Sequence, residues 1–180
     1  MNEAQNRIPS LDGLRAISIL FVLFSHAVGT HHFLAEGQVG PLLGLGELGV
    51  RVFFVISGYL ITTLLLEETA RYGRIDLGRF YLRRTMRIFP AFYAFVLALI
   101  VLEAVGLIAL NPGDKLHALT YTSNYDPDRS WYVGHTWSLA VEEHFYLLFP
   151  LLALVLLRRT QPQRAAAVLL GLCAAILVWR

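Results

Sequence analysis

Apolar stretches long enough, or nearly long enough, to cross a bilayer run from about Leu14 to Thr30, Leu48 to Leu66, Ile88 to Leu110 and Ser138 to Leu157. A fifth begins near Ala165 and is still apolar at Trp179. This pattern predicts an all-α fold, a multi-pass transmembrane helix bundle with about four to five helices present. Because the last run is apolar almost to Arg180, the ending reads either as a truncation of residues 1–180 at the C-terminus or as a short final helix. The first run does not read as a cleaved signal peptide. Its interior holds Ser25 and His26, and no small-x-small site precedes Gly29-Thr30-His31-His32.

Composition agrees with the pattern. A hydrophobic share of 56% and a mean hydropathy of +0.56 exceed what a soluble domain needs for one core. The one cysteine, Cys173, excludes an intrachain disulfide.

The net charge of +2 says little, but its placement orients the chain. Arg71, Arg74, Arg79, Arg83, Arg84 and Arg87 crowd the second connection, and Arg158, Arg159 and Arg164 the fourth. The stretch from His31 to Glu47 has no Lys or Arg, and that from Asn111 to His135 has only Lys115 and Arg129. The positive-inside rule then puts the N-terminus and both arginine-rich connections in the cytoplasm. Trp131, Tyr132 and Trp137 gather where the outer connection re-enters the membrane, as an interfacial aromatic belt does.

Four constellations carry candidate chemistry. Arg15 and His26 are eleven residues apart, which brings them to one helix face roughly 16 Å apart along the axis. With Arg15 at a membrane surface, His26 lies near the middle of the hydrocarbon. An imidazole there is either a proton-transfer group or a histidine hydrogen-bonded across the bundle. On the fourth run, Phe145 to Leu157 is too short to span, so its helix draws Glu142, Glu143 and His144 toward the membrane. Counted from Arg158, Glu142 stands roughly 24 Å above the inner surface. Pro150 removes the donor to the Tyr146 carbonyl, a place for a kink. Either these glutamates join His26 or they sit at the outer interface.

Arg84 and Arg87, spaced i, i+3 ahead of Ile88-Phe89-Pro90, would project together from a helix starting there, beside backbone N–H groups that attract anions. Such a site suits phosphate, although arginines at an inner edge also simply set topology. Finally, Ser57-Gly58 in mid-span permits close approach to the backbone, and Tyr59 adds a hydroxyl. Arg51 at the outer end either anchors the helix or faces the same cavity as the glutamates.

At these residues the chain resembles the acyltransferase-3 family of integral membrane acyltransferases. Arg15 through His26 fits the family's basic-x10-His pattern, and Phe53-Phe54-Val55-Ile56-Ser57-Gly58-Tyr59 its FFxxSGY/F segment. Arg84-Thr85-Met86-Arg87 fits RxxR, and Ser138 through Tyr146 fits SLxVEExFY, with His144 where the family frequently has glutamine. The resemblance implies that residues 1–180 are the N-terminal part of a larger membrane acyltransferase domain with further helices as partners. It implies an O-acyltransferase, most simply an O-acetyltransferase, moving an acyl group from cytoplasmic acyl-CoA to a hydroxyl of a carbohydrate or similar cell-envelope acceptor. No bound cofactor, metal or nucleic acid is implied, since acyl-CoA enters as donor substrate.

On this reading His26 transfers a proton, with Glu142 or Glu143 orienting it. Arg84 and Arg87 take the coenzyme A phosphates, Arg15 holds the donor's phosphate or pantetheine portion, and Ser57 and Tyr59 line the passage. Other readings are a proton-coupled transporter or flippase, with His26 and the glutamates as a relay, and a catalytically silent membrane fragment.

Overall fold

The computed structural model describes residues 8–28, 40–159 and 161–179. Every regular element among them is helical: α1 (Pro9–Val28), α2 (Gly40–Tyr72), α3 (Leu77–Ala104), α4 (Asp114–Leu119), a 3₁₀ turn (Ser123–Tyr125), α5 (Trp131–Gly134), α6 (Thr136–Arg159) and α7 (Pro162–Trp179). Four stretches among the described residues are long and apolar enough to cross a membrane: Pro9–Val28, Gly44–Tyr72, Leu77–Ala104 and Trp131–Leu156. Gln163–Ala175 within α7 is apolar but shorter. The chain is a multi-pass helical membrane protein. It divides into two units, Met1–Glu67 and Glu68–Arg180.

In the first unit α1 and α2 pack through small residues. A Cβ built on Gly49 would lie 2.5 Å from the Ser18 carbonyl oxygen, and one on Gly46 would lie 2.5 Å from Ser25 Oγ. Glycine at both positions lets the backbones approach, the usual basis of helix association in lipid. The order of the pairs, Gly46 with Ser25 and Gly49 with Ser18, shows that the helices run antiparallel. The outer stretch read as a loop from His31 to Glu47 is partly outside the described residues, and α2 already begins at Gly40. Pro41 falls in the first turn of α2, where a missing N–H costs nothing.

In the second unit, α3 starts well before the position expected from the arginines. Asp76 caps it, its carboxylate accepting from the Arg79 N–H at 3.0 Å. That hydrogen bond, ahead of the nearby arginine charges, holds the Asp76 carboxyl below its ordinary 3.8. Arg84 and Arg87 therefore lie two or more turns inside α3, where the backbone N–H groups are already used. The expectation of an anion site at a helix N-terminus beside them is corrected accordingly. α3 stops at Ala104, short of the predicted Leu110, because Gly106 takes φ +77°. Ile108 and Leu110 instead fold back onto the core of Phe92, Val96, Leu99, Ala118, Tyr121, Val133 and Ala140.

The connection between α3 and α6 is an ordered cap. Asp114, fully buried, accepts from the N–H groups of Asn111 at 2.7 Å and Ser130 at 3.1 Å, tying the two ends of the connection together. The Thr136 hydroxyl donates to the Val133 carbonyl at 2.7 Å and shares a hydrogen bond with Ser123 Oγ at 2.8 Å, which fixes the 3₁₀ turn on the start of α6.

Candidate active site

In the first unit, His26 sits in the last turn of α1 with Nδ1 2.7 Å from the Val22 carbonyl oxygen. A carbonyl oxygen only accepts, so Nδ1 carries the proton, and in the neutral ring Nε2 is the basic nitrogen. The ring is thus oriented from within its own helix. Arg15 places its guanidinium carbon 5.4 Å from the centre of the Phe53 ring, a cation–π contact that joins the first and second motifs. Counted along α2, Phe53 precedes Leu66 by roughly 20 Å. Arg15 therefore stands beside the apolar length of α2, away from its charged C-terminal end at Arg71.

Ser57 is buried and Tyr59 is half exposed. Tyr59 lines an open cavity of about 580 Å³ with Leu11, Leu14, Val52, Val55 and Arg51. Arg51 forms an i, i+4 ion pair with Glu47.

In the second unit the third and fourth motifs meet. Arg84 lies with its guanidinium carbon 3.0 Å from the Tyr146 ring centre, and its Nη2 is 3.9 Å from Glu142 Oε1. Their side chains are only 24% and 11% exposed. Tyr81 adds a second tie from α3 to α6, donating to the Leu147 carbonyl at 2.8 Å, just before Pro150 interrupts the helix's own bonding. Arg87 is exposed one turn further on. Glu143 is unlike Glu142: its Oε1 is buried with no hydrogen-bond partner among the described residues. His144 stacks on Tyr125 of the cap, ring centres 5.8 Å apart.

The profile described as the acyltransferase domain matches residues 8–180, nearly the whole chain. The chain belongs to the acyltransferase-3 family. It is similar to the O-acetyltransferase OatA of Staphylococcus aureus strain NCTC 8325, 37% identical over 87% of this chain and 26% of that protein. It is similar also to the peptidoglycan O-acetyltransferase OatA of Listeria monocytogenes, 30% identical over 96% of this chain and 28% of that protein. The chain thus spans roughly a quarter of the length of these curated relatives. No solved structure matches it.

For this acyltransferase-3 chain, the motif residues fall into two groups. Arg15, His26, Ser57 and Tyr59 belong to the first unit, and Arg84, Arg87, Glu142 and Glu143 to the second. One polar residue of the second unit carried no sequence signal. Tyr121, between Thr120 and Thr122 in the cap, is buried, and its hydroxyl has no partner among the described residues. Burial, and secondarily the nearby Glu143 charge, push that hydroxyl's pKa up, so it stays protonated.

Proposed function

We propose that this chain supplies the N-terminal part, residues 1–180, of a larger membrane O-acetyltransferase domain that uses cytoplasmic acyl-CoA, acetyl-CoA in the simplest case. The acceptor is a hydroxyl of a cell-envelope carbohydrate, and the relatives' names, O-acetyltransferase and peptidoglycan O-acetyltransferase, support both the group and the acceptor. The arginine-rich connections support an orientation in the inner membrane with the N-terminus in the cytoplasm.

The observation that carries the reading is the tautomer of His26. With Nδ1 committed to Val22, Nε2 takes the proton from the acceptor hydroxyl as its oxygen attacks the acyl carbonyl carbon. The thioester C–S bond breaks, and the imidazolium returns the proton to the coenzyme A sulfur. Arg87, exposed and free of the α6 contacts that hold Arg84, binds donor phosphate. Arg15 holds the donor's phosphate or pantetheine portion, while Ser57 and Tyr59 line its passage.

The test uses the full-length enzyme in proteoliposomes with acetyl-labelled coenzyme A on the side of the Arg71–Arg87 connection. Labelled ester on a carbohydrate acceptor, with free coenzyme A released in equal amount, is the expected result. Dissipation of a proton gradient without acetyl-CoA consumption would contradict it.

A further inference from the structure

Tyr121 is the one non-glycine among the described residues with a positive φ, 54°. That backbone region is disfavoured for a bulky L residue and, where it occurs, is held in place by surrounding structure, often at functional sites. Here the ring is gripped between aromatic neighbours, stacked on Phe92 at 4.4 Å and on Phe89 at 5.3 Å between ring centres. A phenylalanine would fill the same stack without burying an unpartnered hydroxyl.

The cap lies along the part of α6 that bears the glutamates. Ala140, wholly buried in the same cluster as Tyr121, is one turn before Glu143, and Tyr125 stacks on the adjacent His144. Glu143 thus lies within one turn of the α6 residue that packs in the Tyr121 cluster. Tyr121 Oη and Glu143 Oε1 are both buried and both lack a hydrogen-bond partner among the described residues. Buried polar atoms of this kind are exceptions that call for a ligand or an ordered water. One is a donor and the other an acceptor, and a single alcohol group, which accepts one hydrogen bond and donates another, satisfies both.

We infer that Tyr121 and Glu143 form a hydroxyl-binding subsite for the acceptor, the Tyr121 O–H donating to an alcohol oxygen and Glu143 Oε1 accepting from its O–H. The subsite rests on the acetyl-transfer reading above and deepens it. It selects acceptors rich in alcohol groups and leaves the donor untouched.

Tyr121→Phe in the full-length enzyme tests it, with chitotetraose as acceptor and acetyl-CoA as donor. The variant keeps the ring stack and removes an orphaned hydroxyl, so its melting temperature stays level or rises. Its kcat/KM for chitotetraose falls tenfold or more, while the KM for acetyl-CoA is unchanged. A companion pair separates hydrogen bonding from packing: Glu143→Gln, which keeps a carbonyl acceptor, retains more acceptor affinity than Glu143→Leu. Unchanged acceptor kinetics in Tyr121→Phe overturn the subsite and leave a water-bridged pair. Equal losses in both Glu143 variants overturn it as well. A wild-type enzyme that consumes no acetyl-CoA refutes the transfer reading itself, and the subsite falls with it.

Discussion

Arg84 and Arg87 are three residues apart in one motif and meet different surroundings. Arg84 is enclosed by Glu142 and the Tyr146 ring, whereas Arg87 is exposed. Removing one member of a shielded pair leaves its partner's charge uncompensated, so Arg84→Ala is expected to cost about 1–3 kcal/mol of stability. Arg87→Ala is expected to leave stability unchanged and raise the KM for acetyl-CoA roughly tenfold, the size of one charge-assisted hydrogen bond. Thermal unfolding in detergent and initial rates at varied acetyl-CoA check both. A raised donor KM in Arg84→Ala with unaltered unfolding would assign that guanidinium to the donor instead. The i, i+3 spacing was legible in the sequence. The division of labour was not, because it depends on which residues of α6 face α3.

The helices owe their packing to positions that hydropathy does not rank. Gly49 lies against the Ser18 backbone, whereas Gly44, on the same helix, has nothing within 4 Å of a built Cβ. Gly49→Ala should therefore separate α1 from α2 and destabilise by about 1–3 kcal/mol. Gly44→Ala should be neutral or stabilise by up to about 1 kcal/mol through helix propensity. Equal shifts in melting temperature for the two would contradict the close approach. Apolar run length was enough to find the four spanning helices, since that signal is summed over many residues. The ends were harder to place. Asp76 and Gly106 fix α3 through a side-chain cap and a positive φ, local events that a run of apolar residues overrides in a hydropathy reading.

At the scale of the whole molecule, two units carry complementary halves of the proposed chemistry. The first holds an imidazole whose tautomer is set by its own helix. The second holds the exposed Arg87 proposed for the donor, the Arg84–Glu142 ion pair, and the unpartnered polar atoms of Tyr121 in the cap and Glu143 on α6. The motifs of the acyltransferase-3 family could be read directly from residue order, but Tyr121 could not. Its importance comes from the folding of the cap around Asp114 and from a backbone angle that no composition announces. The central claim is that His26 moves the proton during acetyl transfer. It is tested most directly by the rate at which full-length enzyme carrying His26→Ala moves labelled acetyl from acetyl-CoA to a carbohydrate acceptor, with membrane insertion confirmed by fractionation. The account predicts a loss of about a hundredfold or more with the protein retained in the membrane. Transfer at the wild-type rate would contradict it.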